Sequence, residues 1–233
     1  MKMKTMLQEK NLEDVESVTI VPVNNSRDLR RFIRVPWSVY ADDPTWVPHL
    51  LLERREQFSP RNPYFAHARC CFWLAYRGTR PVGRISAQID ELHEERYGDA
   101  TGFFGFLEAE NEAGTFHELL STAEGWLRDQ GMLRIRGPFN FSINQECGLL
   151  VDGYDTPPMI MMGHSRPYYA ARLTAEGYQG VKDLLAYRLS THFTPPEFMK
   201  AVLNKAAGSA RVRPLRRSRL NEDLEIIEDI FED

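Results

Sequence analysis

The chain has 233 residues, 42% of them hydrophobic and 27% charged, with a formal net charge of −4. This composition is typical of a globular protein with a sizeable core. The slight acidic balance gives no reason to expect nucleic acid as the main partner. Cys70, Cys71 and Cys147 are too few for a disulfide framework and fit a reducing compartment. The sequence has no signal-peptide pattern and no apolar run of about 20 residues, so we expect a cytoplasmic protein without a membrane span.

The first third of the chain predicts a polar arm, one strand and two helices. Residues 1–16 carry charges throughout and are expected to form a loose or helical arm. The β-branched segment VTIVPV (18–23) predicts a strand. Ser26 is the expected N-cap of a first helix, which Pro36 should end or kink. WVPHLLLERREQF (46–58), with a proline near its start, predicts the second helix.

The middle of the chain predicts a meander of strands followed by a helix. CFWLAYRG (71–78) and RPVGRISAQID (80–90) are expected strands that meet at a Gly-Thr hairpin turn. TGFFGFLEAE (101–110) predicts a third, aromatic strand. The helix predicted over 115–130 has an apolar face at helical spacing, which should pack across the meander. That face is formed by Leu119, Ala123 and Leu127.

A long irregular segment, GPFNFSINQECGLLVDGYDTPP (137–158), follows a short predicted strand over 133–138. Such a stretch inside a compact domain is typically a lid, a substrate loop or a linker. A helix (166–178) and a closing strand (180–191) are predicted after it. The expected order is β-α-α-β-β-β-α-β-loop-α-β. It describes an α/β fold whose mixed, mostly antiparallel sheet is flanked by helices.

Two segments share a strand, a proline, a Ser-Arg pair and an Asp-Leu helix entry. They are VTIVPVNNSRDLRRF, from Val18, and ARVRPLRRSRLNEDLEII, from Ala210. The match favours an internal repeat, although short strand–turn–helix entries also coincide by chance. We therefore expect one domain over 17–192, a linker over 193–209 and the truncated start of a second, similar domain over 210–233.

Four phrases of the sequence carry a family resemblance. They are VGRISAQID, FGFLEAEN, PYYAARLTAEGY and AEGWLRDQGMLRIRGPFNFSINQECGLLVDGYDTPP. Together with the element order, they resemble the bacterial YghO-like branch of the GNAT superfamily, the acyl-CoA N-acyltransferases. The resemblance covers about residues 18–191 and is most specific in the long loop. It implies a GNAT-like fold and fits a tandem protein whose first domain lies in this chain.

The resemblance implies an acyl-CoA donor beside the strand predicted over 101–110. Phe106, Leu107 and Glu108 are then expected to flank its pantetheine arm. Gly114 and Thr115 are expected to meet its pyrophosphate at the N-terminus of the next helix. EAENEAGTFHEL lacks the family's glycine-rich turn, however, and its glutamates would repel a pyrophosphate. Whether this half binds acyl-CoA, uses another acyl carrier or leaves the donor to a second domain stays open.

The long loop is expected to hold the acceptor amine next to the thioester. Amine acylation needs a base for the ammonium proton, and Glu146 is the candidate, with its pKa raised by partial burial. Asn140 and Asn144 would orient the acceptor. Tyr168 is the candidate acid for the departing thiolate, and Tyr169 is expected beside the acceptor. In the structural alternative, the asparagines fix turns, Glu146 is solvated and the tyrosines pack.

Cys147 and the histidines indicate no further site. A nucleophilic Cys147 would need a nearby histidine, and no spacing pairs it with His164 or His192. The His and Cys residues also match no metal-ligand spacing, so no metal is expected.

Two classes of function follow from these patterns. The first is an N-acyltransferase that moves an acyl group from a thioester to an amine, including a hydrophobic one. The second is a catalytically silent GNAT-like domain that serves as a scaffold or as the ligand-binding half of a tandem protein.

Overall fold

The computed structural model of the chain describes residues 17–188, 190, 192–207 and 213–232. The chain divides into two compact units, the first ending at Leu184 and the second beginning at Leu185. Five strands form one sheet within the described residues: β1 (Val18–Pro22), β2 (Ala68–Arg77), β3 (Arg80–Asp90), β4 (Thr101–Ala109) and β5 (Arg134–Arg136). Seven α-helices are described there: α1 (Ser26–Val39), α2 (Leu51–Gln57), α3 (Glu91–Tyr97), α4 (Ala113–Asp129), α5 (Tyr168–Ala175), α6 (Glu197–Ala206) and α7 (Leu220–Glu232).

The sheet has the order β1-β2-β3-β4-β5, antiparallel except for the parallel β4–β5 pair. The predicted meander is therefore confirmed, and so is the mostly antiparallel α/β class. The helix predicted to cross the meander is α4, which packs through its buried Leu119, Ala123 and Leu127. Residues of α4 and α5 share one apolar cluster, whereas α1 packs in the other, so the two sets cover opposite faces of the pleated sheet.

Helix α1 differs from its prediction at its N-cap and runs past Pro36. Its N-cap is Asn25 rather than Ser26, because the Asn25 side chain accepts hydrogen bonds from the N–H groups of Arg27 and Asp28. Pro36 does not end the helix, which runs on to Val39. A proline at this position leaves the carbonyl four residues earlier without its helical donor. That carbonyl, on Phe32, accepts instead from the Arg84 guanidinium at 3.0 Å.

The structure differs from the sequence predictions at three further places. The second helix starts at Leu51 rather than at residue 46, and α3 was not predicted. The closing strand predicted over 180–191 is wrong for the described residues 180–188 and 190, which have no regular secondary structure. Its apolar residues Val181 and Leu184 are exposed, and a strand needs a hydrogen-bonding neighbour that local alternation does not provide.

Strand β4 is irregular where it separates from β5. The two strands pair only over Thr101–Phe103. The register between β3 and β4 then shifts, and Phe106 adopts a φ of 48°. This is a β-bulge, which bends a strand and is frequent beside functional sites. Next to the bulge, the backbone of Phe139 passes so close to Gly105 that a β-carbon there would collide with it.

The second unit contains α6 and α7. Asp223, at the start of α7, pairs with Arg213 and Arg216 at 2.7 Å each. The strand predicted near the start of the second copy falls largely on residues 210–212, outside the described ones, and residues 213–216 have no regular secondary structure. The polar arm predicted over 1–16 also lies outside the described residues. Within the described part of the chain, no helix is both long enough and apolar enough to cross a bilayer.

Candidate active site

A narrow pocket of about 40 Å³ lies beside the β4 bulge. This volume holds only one or a few water-sized groups. Its walls come from the end of α1, the connection to α2, strands β3 and β4, and two parts of the long loop with the segment that follows it. Its polar lining residues are Tyr40, His49, Arg84, Glu108, Asn140, Glu146, His164, Ser165 and Tyr169.

Glu108 forms the buried centre of the pocket. Its Oε2 accepts hydrogen bonds from the hydroxyls of Tyr40 (2.5 Å) and Tyr169 (2.9 Å), and its Oε1 lies 3.6 Å from Arg84 Nη2. Burial raises the pKa of Glu108, although Arg84 and both tyrosines favour its charged form. Burial and the neighbouring Glu108 charge likewise raise the pKa of Tyr40. Glu108, Tyr40, Tyr169 and Arg84 thus form a buried hydrogen-bonded cluster at the floor of the pocket.

Glu146 lines the pocket from the long loop. Its Oε1 is ion-paired with Arg54 and lies 3.8 Å from His49 Nδ1, while its Oε2 accepts from Asn140 Nδ2 at 2.7 Å. Burial acts to raise the pKa of Glu146, but Arg54, His49 and the Asn140 hydrogen bond outweigh it, so the pKa is lowered. The expectation of a raised pKa was therefore wrong, because the ion-pair partner could not be read from the sequence.

Asn140 connects the loop to the bulge. Its Oδ1 accepts from the backbone N–H of Phe106 at 2.7 Å, in addition to the bond that its amide donates to Glu146. Both ends of the side chain amide are therefore engaged within the protein. The geometry makes Asn140 a brace that ties the strained residue Phe106 to Glu146.

His164 and Asp43 form a pair on another wall of the pocket. His164 Nε2 lies 3.0 Å from Asp43 Oδ2, and only 6% of the His164 side chain is exposed. The opposite ring nitrogen, Nδ1, is buried and has no hydrogen-bond partner among the described residues. Asp43 is also held by Thr45, and although burial acts to raise its pKa, the His164 and Thr45 hydrogen bonds lower it to about 2. An ionised Asp43 favours the tautomer with the proton on Nε2, which leaves the Nδ1 lone pair free.

The remaining predicted residues are spread around the pocket. Tyr169 lines it, but its hydroxyl is engaged by Glu108 and by the N–H of Ala109 at 2.9 Å. The Tyr168 hydroxyl donates to the Ala109 carbonyl at 2.7 Å, and burial raises its pKa to about 12. Phe106 and Leu107 line the pocket with Glu108, whereas Asn144 is exposed and is not part of the lining.

Gly114 and Thr115 stand in the first turn of α4. Thr115 is buried, and its hydroxyl lies 3.4 Å from Arg77. Two of the glutamates that were expected to repel a pyrophosphate at the start of α4 have other roles in the structure. Glu108 lines the pocket, and Glu110 is paired with Arg77 at 2.7 Å and Arg80 at 2.9 Å. Repulsion at this helix start is therefore weaker than the sequence suggested.

Sequence reasoning missed most of the residues that give the pocket its chemistry. Asp43 and His164 are 121 residues apart, and Arg54 and Glu146 are 92 apart, so no local spacing links them. The available signal was the segment YADDPTWVPH (40–49), which mixes aromatic, acidic and proline residues between two helices. Cys147 does not belong to this chemistry, since burial raises the pKa of its thiol. Within the described ranges, no cluster of three or more His, Cys, Asp or Glu residues could hold a metal ion.

Two curated relatives match most of the chain. Protein YghO of Escherichia coli (strain K12) is 43% identical over 208 residues, which are 89% of this chain and 53% of YghO. The chain is thus similar to YghO over most of its own length. The bacterial ceramide synthase of Caulobacter vibrioides (strain NA1000 / CB15N) is 40% identical to this YghO-like chain over 219 residues, which are 93% of this chain and 57% of the synthase. The chain thus spans about half the length of the curated relatives it matches.

Solved structures resemble the YghO-like chain more distantly. A predicted acetyltransferase from Clostridium acetobutylicum with acetyl-CoA has a TM-score of 0.46 and 9% identity, over 73% of this chain and 96% of that chain. An aminoglycoside acetyltransferase from an uncultured soil metagenomic sample, in complex with sisomicin, has a TM-score of 0.43 and 12% identity, over 74% and 97%. No family model matches the chain.

Proposed function

We propose that this YghO-like chain carries the site of an N-acyltransferase, which moves an acyl group from a thioester to the amine of a long-chain acceptor. The observation that carries the proposal is His164, which lines the pocket beside the β4 bulge: its Nε2 is held by Asp43, and its buried Nδ1 has no hydrogen-bond partner among the described residues. A buried, oriented and unpartnered imidazole nitrogen is the group that a base needs.

The reaction would proceed by attack of the amine nitrogen on the thioester carbonyl carbon. A C–N bond forms, and the carbonyl becomes a tetrahedral oxyanion. His164 Nδ1 takes the proton from the ammonium nitrogen, and the resulting imidazolium is stabilised by the Asp43 carboxylate. The C–S bond then breaks as the oxyanion collapses, and the released thiolate takes up a proton. Tyr168 remains the candidate acid for that proton, since burial raises its pKa to about 12 and keeps it protonated at neutral pH.

The size of the pocket supports an acceptor whose chain stays outside. A volume of about 40 Å³ admits an amine head but no alkyl chain. Apolar side chains within two residues of pocket residues in the chain are exposed, among them Leu50 (65%) and Met161 (57%). A curated relative is named bacterial ceramide synthase, and a ceramide is the N-acyl amide of a long-chain amino alcohol. We therefore propose a long-chain amino alcohol as the acceptor class.

We propose acyl-CoA as the thioester. Phe106, Leu107 and Glu108 would flank its pantetheine arm, as the resemblance implies. Gly114 and Thr115 would meet its pyrophosphate at the start of α4, where Arg77 and Arg80 offset the charge of Glu110.

The role of Glu146 separates two versions of the mechanism. If Glu146 is the base, as its place in the loop suggested, it must give up its ion pair with Arg54 during turnover. With His164 as the base, Glu146 and Asn140 instead hold the pocket wall in place. The lowered pKa of Glu146 favours the second version, because a weaker base collects an ammonium proton less well.

Mass-spectrometric detection of amide from a long-chain acyl-CoA and a long-chain amino alcohol tests the proposal. We expect His164→Gln to lower kcat by roughly 10²–10⁴-fold, with a smaller effect on KM for the donor. His67→Gln is the matched control, because His67 makes a similar 3.0 Å contact with Asp90 outside the pocket. An equal loss of kcat in His164→Gln and His67→Gln would contradict the proposal. So would a folded, unsubstituted chain that makes no amide.

The silent-domain alternative is favoured by one observation. The turn before α4 has no glycine-rich sequence, and Glu112 at its N-cap position makes no side-chain capping bond and is exposed. Calorimetry with acetyl-CoA and with a long-chain acyl-CoA separates the alternatives. Absence of binding heat with both donors would favour the silent domain.

A further inference from the structure

Helix α1 carries a row of arginines on its outer face. Arg27, Arg30, Arg31 and Arg34 follow the i, i+3, i+4, i+7 spacing that puts side chains on one side of a helix, and all four are exposed. Together they line an open groove of about 660 Å³. Asp28 pairs with Arg31 at 3.3 Å. For Arg27, Arg30 and Arg34, no salt bridge is found with any described residue.

The arginine groove adjoins the candidate active site. Trp37 lines the groove, and its ring meets that of Trp46 at a centroid distance of 5.3 Å in an edge-to-face contact. Trp46 lines the active-site pocket and stacks on Tyr40. A single pair of indole rings therefore separates the basic groove from the pocket.

Exposed apolar residues lie next to pocket residues in the chain. Val47 (50% exposed) follows Trp46, Leu50 (65%) follows His49, and Met162 (42%) precedes Gly163. Apolar side chains that are this exposed, next in the chain to residues of a polar site, indicate an interaction surface rather than core packing. We call Val47, Leu50 and Met162 the apolar rim.

We propose that the arginine face of α1 and the apolar rim together dock this chain on an anionic phospholipid bilayer. Arginines near an anionic leaflet are attracted to its phosphates, and apolar side chains enter the boundary between headgroups and acyl chains. Stable peripheral attachment generally needs two such signals, and this chain has both, arginines that line a groove with Trp37 and exposed apolar residues next to pocket residues in the chain. The proposal rests on the proposed function in one respect, because docking would let a long-chain amine enter the pocket from the membrane.

Charge complementarity selects the bilayer over a polyanion such as nucleic acid. The chain as a whole is acidic, with a formal net charge of −4, so its overall charge does not attract phosphate and a local row of arginines has to supply the attraction. A nucleic-acid surface would also offer no apolar phase to Val47, Leu50 and Met162. The bilayer offers both chemistries in one plane.

Co-sedimentation of the 233-residue chain with vesicles tests the docking. The vesicles contain phosphatidylcholine with or without phosphatidylglycerol, and no acyl donor or amine is added, so the result does not depend on transferase activity. We expect binding to the anionic vesicles that weakens with added salt. Arg30→Gln with Arg34→Gln should weaken it by roughly 10–30-fold, since each arginine near an anionic surface contributes about fivefold.

The matched control is Arg96→Gln with Arg128→Gln, which removes the same charge from exposed positions in α3 and α4. Its binding should remain within about twofold of the unsubstituted chain, since surface attraction falls off within a Debye length. Unchanged unfolding midpoints establish that both double variants are folded. Val47→Ser with Leu50→Ser should reduce the binding that persists at high salt.

Three results would overturn the proposal. The first is that the unsubstituted chain does not bind anionic vesicles. The second is that the two double arginine variants lose vesicle binding equally. The third is that the chain binds a DNA duplex but not vesicles. Amide formation from a long-chain acyl-CoA and a long-chain amino alcohol, dispersed in neutral detergent without vesicles, is measured in parallel. No amide together with intact vesicle binding would refute the proposed function and leave the docking standing, whereas amide formation without vesicle binding would refute the docking alone.

Discussion

Replacing Asn140 tests the connection between the bulge and the loop. In Asn140→Leu, the buried N–H of Phe106 and the Oε2 of Glu146 each lose a 2.7 Å partner. An unsatisfied buried donor costs about 1–3 kcal/mol and a charge-assisted bond about 1.5–3 kcal/mol. Arg54 still pairs with Glu146 and water can reach part of the site, so we expect a loss of about 2–4 kcal/mol in unfolding free energy.

Asn140→Asp is the matched variant, because it keeps the acceptor for Phe106 but puts a second carboxylate against Glu146. Like charges raise the pKa of one of the two carboxyl groups in the folded state. The folded state then binds an extra proton, so the stability lost at neutral pH should return on acidification towards about pH 4. Asn140→Leu should show no such recovery.

Urea unfolding followed by tryptophan fluorescence measures both variants. All four tryptophans, at positions 37, 46, 73 and 126, lie in the first unit, so the signal reports that unit alone. If the unfolding free energy of Asn140→Leu lies within about 1 kcal/mol of that of the unsubstituted chain, Asn140 does not brace the loop against the bulge. An Asn140→Asp chain whose loss does not depend on pH would lead to the same conclusion.

Further predictions concern the same unit and its neighbour. Gly105→Ala should destabilise the chain by more than about 3 kcal/mol, because its β-carbon would lie 2.6 Å from the Phe139 carbonyl carbon; a smaller loss in urea would contradict that close approach. Burial and the charge of Arg54 lower the pKa of His49 from its ordinary 6.5 to about 4, so the folded state resists protonation. The free energy of unfolding should therefore fall as the pH drops from about 6.5 to about 4. We expect a loss of about 1–2 kcal/mol, after allowance for the 30% exposure of the His49 side chain, and His49→Gln should flatten this pH dependence. In the second unit, we expect low hydrogen-exchange protection in Leu220–Glu232. Protection equal to that of the sheet in the first unit would contradict the prediction that residues 210–233 are the start of a second, similar domain.

The sheet could be predicted because its signals are local. Strands β2, β3 and β4 have aromatic and β-branched residues between clear turns, and α4 has a continuous apolar face. The closing strand could not, since alternation such as that around Val181 does not reveal whether a neighbouring strand exists. The way α1 continues past Pro36 was equally out of reach, because the donor that satisfies the Phe32 carbonyl comes from Arg84, 52 residues away.

The candidate site could be predicted only in part. Glu146, Asn140, Phe106 and Glu108 do meet at one pocket, because the loop is held directly against the β4 bulge. The long-range partners were out of reach, since the contact of His164 with Asp43 depends on how the loop folds over the end of α1. The sign of the Glu146 pKa shift depended on Arg54 in the same way.

Chemical rescue tests the central claim, that His164 supplies the base for acyl transfer, most directly. His164→Ala removes the imidazole but leaves a space in which free imidazole can bind. Amide formation by this variant should rise with added imidazole, whereas the residual activity of Glu146→Ala should not respond to it. Rescue of His164→Ala alone is the result that we predict. No rescue of His164→Ala, together with rescue of Glu146→Ala by a small carboxylate such as formate, would contradict it and make Glu146 the base.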